Sequence, residues 1–528
     1  MNPVSTASVP RSTNEIAVTN PATQQVIDAV PVASAEQITE AVARAHAAQV
    51  RWAATPVSDR LKVLRRFQKL LCEQKESVAD IITREAGKPA AEALSTEVLV
   101  VLDGIKFLID NAPEFLLPER VPHANPIMKL KQGALLREPY GVIGIISPWN
   151  YPFSLPSVQT LTALITGNAV VLKPSEFTPF SSLELQHLLR DAGLAPDLFQ
   201  VITGEGAAGG ALLDANIDKL IFTGSVATGK KVAVAAAAKL LPVVLELGGK
   251  DPMIVLEDAD VDVASSAAVW GAFMNSGQTC LSVERCYVHH SIYEQFLQAC
   301  VAKTARLKQG NGGDPATDVG PMIHERQLRT VQNHVDDAIA QGARLLAGGK
   351  AASQLGPCFF APTILADVTH AMNVMREETF GPVLPVCSFR DEDEAVAMAN
   401  DSEFGLAASV WTRNRSRGEM LARRIHAGTV MVNDVVACFG ISEAPHGGVK
   451  ASGIGRTHGR FGLEEMVWPK YVDSDRLPGM KKLWWYGYGP AFRQQMSGFI
   501  NLLFAGNLTK KVSGALKSTQ SFLKRKPL

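Results

Sequence analysis

From about residue 36, apolar positions recur at three- and four-residue spacing in "SAEQITEAVARAHAAQVRW" and "RLKVLRRFQKLLCEQKESVADIITREAG". That spacing predicts amphipathic helices. Ser34 and Gln37 stand in the relation of a capping box for the first, and Cys72 is expected on the apolar face of the second. The pattern then changes to short β-branched runs: "GVIGIISPWN" (141–150), "NAVVLKPSE" (168–176), "KLIFTGSVATG" (219–229) and "VVLELGGKD" (243–251). Continuous apolar runs separated by helical stretches predict buried parallel strands in βα units. In open α/β sheets, ligands bind beyond the carboxyl ends of the strands. The unusual residues fall there in all four runs: Trp149-Asn150, Lys173 to Glu176, Thr223-Gly224-Ser225, and Glu246.

A second α/β region is expected from about 250 to 450. "VGPMI", "FAPTILADV", "GPVLPVCSF" and "LAASVWT" read as strands or strand edges, and "SIYEQFLQACVAKTARL" as a helix opened by a Ser291/Glu294 capping box. A chain of 528 residues is too long for one core and predicts two to four domains. Seven scattered cysteines argue against a secreted disulfide framework. The first residues lack the apolar stretch of a signal peptide. No run approaches a spanning helix, so a cytoplasmic protein is expected. The formal net charge is zero, yet the ten Lys and Arg after residue 475 face no Asp or Glu. A neutral average made of an acidic body and a basic tail points to a separate job for the tail.

Each chemical candidate has a plain structural alternative. The turn "FTGSVATGKK" feeds an Ala-rich helix whose N-terminus suits a phosphate; it matches no complete phosphate-loop motif, and a simple strand–helix turn explains it as well. Lys173 and Glu176 form either a solvated turn or a bracket around a ribose, the carboxylate then disfavouring a 2′-phosphate. Glu246, beside buried apolar residues, is either a salt-bridge partner or a general base whose pKa burial raises. Cys280 and Cys286 lie six apart in "SGQTCLSVERC", a spacing that fits no zinc site, and no metal is expected. Cys286 lies in an alternating run and reads as core. Cys280 follows a polar glycine-containing loop from which a thiol can approach a ligand. Cys438 is placed near a pocket.

Taken together and in order, "SPWNYP", "GNAVVLKPSE", "FTGS", "LELGGKDP", "NSGQTC", "EETFGPV", "FGLAASVW" and "GGVKASGIGR" resemble the NAD(P)-dependent aldehyde dehydrogenase superfamily over roughly residues 15–472. The 34 positions between Glu246 and Cys280 are those of its hydrolytic members. The resemblance implies an α/β fold with a Rossmann-type cofactor domain (1–121 and 141–247) and an α/β catalytic domain (248–450). It also implies a β-arm with bridging segments (122–140 and 451–475), the arm pairing with a strand near 463–474 and making a homodimer or tetramer. Cys280 takes the role of nucleophile, Asn150 and the Cys280 backbone N–H that of the oxyanion hole, and Glu246 that of the base that hydrolyses a thioester. Lys173, Ser175 and Glu176 fall on the adenosine side of NAD (with NADP an alternative). Trp149, Gly224 and Ser225 fall along the pyrophosphate, and Glu378 and Phe380 at the nicotinamide. His446 stands where the family usually has Phe. Tyr151, Phe153, Trp270, Phe273, Met274, Leu281, Val436 and Phe439 suggest an apolar aliphatic or aromatic aldehyde. The rivals are acyl transfer to coenzyme A and a retired, non-enzymatic scaffold; no nucleic-acid partner is expected.

Past Tyr471 the resemblance fades. In 476–528, Phe492, Met496, Phe499, Ile500, Leu503 and Phe504 form a helical apolar stripe that Leu508, Val512 and Leu516 extend, with lysines interspersed and aromatics ahead of it. Two readings stand: a helix packed on its own oligomer, or a peripheral membrane segment.

Overall fold

A computed structural model of the chain describes residues 14–482 and 484–524. The β-branched runs form strands β1 (Val142–Ile146), β2 (Ala169–Lys173), β3 (Phe199–Val201), β4 (Lys219–Thr223) and β5 (Val243–Glu246). They pair in parallel in the order β5-β4-β1-β2-β3. The chain winds outward from β1 in both directions, so the β1/β4 boundary is a topological switch point, where such sheets open a ligand crevice. Ser147–Asn150 leave the end of β1, and Gly224-Ser225 leave the end of β4. Helices Ala35–Ala54, Val57–Glu73, Leu99–Phe115 and α1 (Ser154–Ile165) contribute to the apolar core around this sheet.

The second sheet comprises β6 (Asp251–Val255), β7 (Val283–His289), β8 (Arg344–Ala347), β9 (Thr363–Ala366), β10 (Val383–Phe389), β11 (Ala407–Trp411) and β12 (Thr429–Val432). Its order is β8-β9-β10-β7-β6-β11-β12, parallel except at the β8 edge. Separate apolar cores cover its two faces. The two-residue strand β13 (Gly453–Ile454) then returns to the first sheet, antiparallel to β5, with Gly453 opposite Glu246. This is an α/β architecture whose first sheet is wound as in Rossmann-type folds.

Among the described residues the chain packs into two units: up to Leu117 together with Arg137–Pro469, and Pro118–Leu136 with the chain from Lys470. The smaller unit holds most of a three-stranded sheet, in which Lys131–Pro139 lies between Glu119–Val121 and Val467–Asp475. Tyr471 reaches across it to His123 (2.8 Å), and Lys131 pairs with Asp473.

Several local expectations are revised. The Ser34/Gln37 capping box forms, but Cys72 is exposed, because Leu61, Leu64, Phe67 and Leu71 fill the buried face of its helix. The Ser291/Glu294 box does not form. A 3₁₀ turn, His290–Ile292, precedes the helix, the His289 ring accepts from the Ser291 N–H, and Glu294 pairs with Arg344 at 3.0 Å. "VGPMI" is not a strand. Pro321 has no N–H to give a ladder, and only an isolated Gln309–Val319 bridge forms there. The apolar stripe of the tail is also not one helix. It breaks at Ala505–Asn507 into α2 (Pro490–Phe504) and α3 (Leu508–Lys524), where the Asn507 side chain accepts from the Lys510 N–H.

Candidate active site

The thiol of Cys280 is placed by the loop ahead of it. Asn275, Ser276 and Gly277 are all left-handed, with φ of 51°, 57° and 69°; for the first two this costs about 1–3 kcal/mol each unless neighbours fix it. Neighbours do. The Asn275 N–H donates to Glu92 (3.0 Å), its amide to the carbonyls of Asn150 (3.0 Å) and Gln278 (3.1 Å), and Ser276 Oγ to Gly320 (2.7 Å). A Cβ at Gly277 would collide with the Gly381 carbonyl, so that position needs glycine for close approach as well as for φ. The Asn150 amide donates to the Gln278 carbonyl at 3.0 Å, two residues before Cys280. Cys280 itself is partly exposed to a cleft, whereas Cys286 is fully buried. Burial, reinforced by the Asp251 and Glu378 carboxyls, holds the Cys280 thiol well above its ordinary pKa.

Glu246 ends β5 and is 5% exposed, and neither of its carboxyl oxygens has a hydrogen-bond partner. Burial raises its pKa well above the usual carboxylate range, against the pull of Arg456. His446 Nε2 stands 3.8 Å from Glu246 Oε2. Burial, with help from His458 and Arg456, lowers the His446 pKa to about 3, so its ring is neutral and packs edge-on against Phe439 (5.0 Å between centroids).

Beyond the switch point, Lys173 Nζ pairs with Glu176 at 3.4 Å. Ser225 caps a helix, Val226–Ala237, by accepting from the Thr228 N–H, and both Ser225 and Thr228 line the cleft described below. Trp149 meets Phe380 edge-on at 5.5 Å. Phe380 is left-handed (φ 51°), held by Glu284, which accepts the N–H groups of Thr379 and Phe380 (both 2.8 Å) and pairs with buried Lys250 at 2.5 Å. Glu378 Oε1 accepts from the Gly249 N–H at 3.1 Å, and burial beside Glu284 pushes its pKa up to about 8.

One cleft of about 790 Å³ is lined by Cys280, Glu246, Asn150, Trp149, Lys173, Ser175, Glu176, Gly224, Ser225, Glu378 and Phe380, the whole set named from sequence. The expected substrate residues fare differently. Phe439 lines the cleft, Trp270 is on the surface (45% exposed), and Tyr151, Phe153, Phe273, Met274, Leu281 and Val436 are buried in the cores. Cys438 is buried in the second core rather than lining the cleft. Sequence reading missed the support beneath the site. Glu97, in a π-helical turn (Leu94–Val98), accepts the N–H groups of Phe153 (2.8 Å) and Ser154 (3.0 Å) at the start of α1 and pairs with fully buried Lys88 at 2.6 Å. Lys88 also lies 3.7 Å over the Tyr151 ring, whose hydroxyl meets Thr279 at 2.8 Å, next to Cys280. His458, with its Nε2 buried and unpartnered, lines the cleft too.

A doubly wound sheet with a helix N-terminus, carboxylates and a thiol around one cleft fits an oxidoreductase that takes a dinucleotide. The chain belongs to the aldehyde dehydrogenase family, whose model matches residues 8–472, and is an NAD(P)-dependent aldehyde dehydrogenase. A curated relative from Mycobacterium ulcerans, 42% identical with 86% of each chain covered, is named a "putative succinate-semialdehyde dehydrogenase" that uses NADP(+). One from Methylomonas sp., 40% identical over 93% of this chain and 91% of its own, is named 4,4′-diapolycopene aldehyde oxidase. A match to 93% of the chain necessarily enters the segment 476–528. An NAD⁺ complex of aldehyde dehydrogenase from Bacillus cereus superposes with a TM-score of 0.84, at 35% identity, over 87% of this chain and 93% of that one.

Proposed function

We propose that the protein oxidises an apolar aldehyde to the carboxylic acid by hydrolysis of a thioester on Cys280. The Cys280 sulfur adds to the aldehyde carbon, and its proton leaves to water. The Asn150 amide and the Cys280 N–H hold the oxyanion. NAD(P), when bound, accepts the hydride of that carbon. Glu246 then draws a proton from water as the water attacks the thioester, the C–S bond breaks, and the thiol regains a proton. The observation that carries this reading is Glu246, whose two unpartnered carboxyl oxygens are buried at the cleft that Cys280 lines. A buried carboxyl without partners costs stability, and a role in the chemistry accounts for its being there. Acyl transfer to coenzyme A gives it no such role.

Lys173, Ser175 and Glu176 serve the adenosine ribose, with Glu176 favouring NAD over NADP. Trp149, Gly224 and Ser225 serve the pyrophosphate, and Glu378 and Phe380 the nicotinamide side. On this reading 1–121 and 141–247 form the cofactor domain and 248–450 the catalytic domain. The 122–140 and 451–475 segments pair subunits in a homodimer or tetramer, and 476–528 meets a membrane surface.

An apolar substrate is favoured by charge. The cations lining the cleft are Lys173, Lys231 and Arg326. Lys173 and Lys231 belong to the first sheet and the capped helix, and Arg326 follows His324, which packs on Phe177. Phe439, Leu155 and Leu406 line it alongside Cys280, Glu246 and His446. Acid formation from octanal, benzaldehyde and succinate semialdehyde, each with NAD and NADP, tests this. Octanal or benzaldehyde is expected to exceed succinate semialdehyde in kcat/KM by at least about tenfold, the scale of a buried, unpaired carboxylate. A preference for the semialdehyde contradicts the apolar reading.

A further inference from the structure

The pair α2–α3 is built inside out for a hairpin in water. Its helices meet through small and polar residues. A Cβ on Gly498 would lie 2.6 Å from the Gly514 carbonyl oxygen and 2.8 Å from the Ser518 nitrogen, and one on Gly514 would strike the Gly498 carbonyl. Gln495 and Ser521 are buried beside this crossing. Glycines at a crossing let two backbones approach closely, the device by which helices associate where apolar burial gives no drive. Several large apolar side chains are turned outward: Phe504 and Leu508 at the turn are each 77% exposed, and Ile500, Val512 and Leu516 are each more than half exposed, while Phe492, Met496, Phe499 and Leu503 are half-buried. Leu508, Val512 and Leu516 fall at i, i+4 and i+8, one stripe of α3. Gly514, on the contact side, is roughly opposite that stripe on a helix of 3.6 residues per turn.

On the same helical count Lys511 and Lys517 stand to either side of the stripe and Lys510 nearly opposite it, in a segment that contains no acid after Asp475. Ahead of the hairpin, Trp485, Tyr486 and Tyr488 are exposed, and Tyr488 stacks on Phe492 at 5.0 Å. No described helix is long and apolar enough to cross a bilayer. An isologous contact between two copies would set this lysine-flanked stripe against itself, like charge against like. Anionic lipid supplies the complementary charge and the apolar medium together.

We propose that α2–α3 is an interfacial anchor. It lies in the surface of an anionic bilayer, with Phe504, Leu508, Val512 and Leu516 among the acyl chains and Lys510, Lys511 and Lys517 on the phosphates. The proposal rests on the reading that 476–528 meets a membrane, and it fixes which residues do so.

The test is flotation of the full-length protein with phosphatidylglycerol or phosphatidylcholine vesicles at about 0.15 M salt, alongside Val512→Asp/Leu516→Asp and Lys510→Gln/Lys511→Gln. Both double variants alter exposed or half-buried side chains and leave the glycine crossing in place. Wild-type protein is expected to float with phosphatidylglycerol and to be released by high salt. The Asp variant is expected to lose at least about tenfold in partitioning, and the Gln variant less, with dehydrogenase turnover and light-scattering mass unchanged. Wild-type protein that binds no vesicle overturns both the surface reading and the anchor. Wild-type binding matched by the Asp variant overturns the anchor alone. A fall in mass of the Asp variant, with no lipid binding by wild type, assigns the stripe to a second copy and overturns the anchor.

Discussion

The catalytic cleft and the C-terminal hairpin break the ordinary rules of burial in opposite directions. In the cleft, polar groups are inside without partners: both oxygens of Glu246 and Nε2 of His458. In the hairpin, apolar groups are outside without cover: Phe504, Leu508, Val512 and Leu516. Each violation costs stability in the isolated chain. On the readings proposed above, a water and an aldehyde answer the first violation and a lipid surface the second. Cys286, close to the cleft, packs normally and carries no such signal.

Substitutions inside the cleft should touch only the chemistry. Cys280→Ala is expected to lower turnover by at least about 10⁴-fold, the scale of losing a covalent nucleophile, while NAD(P) binding, read by quenching of tryptophan fluorescence, persists. Residual turnover near wild type removes Cys280 from the reaction. Asn150→Ala should lower kcat by about 10²–10³-fold. A change confined to KM would mean that Asn150 only binds substrate. Glu97→Ala, which reaches no reacting atom, should instead cost about 3–5 kcal/mol of stability, because it leaves Lys88 buried and unpaired; chemical denaturation reads it. An unchanged denaturation midpoint would mean that water enters to solvate Lys88. The hairpin variants, by contrast, should leave all three readouts unchanged.

Much of the cleft was legible because strands buried on both faces are continuous apolar runs. Whatever ends them in polar or glycine residues therefore stands out: Asn150, Lys173, Ser225, Glu246. The support beneath was not. Glu97 and half-buried Glu92 sit in helical sequence where charged residues ordinarily face water, and Lys88 in the link after Gly87; only the fold takes them inward. Burial moves the Glu92 carboxyl up to about 7, against the pull of Lys88. The substrate residues failed for the reverse reason: Phe273, Met274 and Leu281 adjoin Cys280 in sequence, but their side chains are in the core behind it. In the tail, periodicity revealed a stripe in α3 but not the turn at Gly506, nor that the stripe faces outward.

On the proposed mechanism, buried Glu246 releases the acyl group from Cys280. Its raised pKa gives the sign of the pH dependence. The carboxyl is protonated and idle at low pH and becomes a base as pH rises through that pKa, so thioester hydrolysis should speed up with pH along the acid limb. Rapid mixing of enzyme, NAD and aldehyde, following NADH, tests it in wild type and Glu246→Gln. The variant is expected to give a burst of one NADH per active site and then nearly stop, with the acid limb gone. Steady multiple turnover by Glu246→Gln, with the wild-type pH profile retained, would contradict the account.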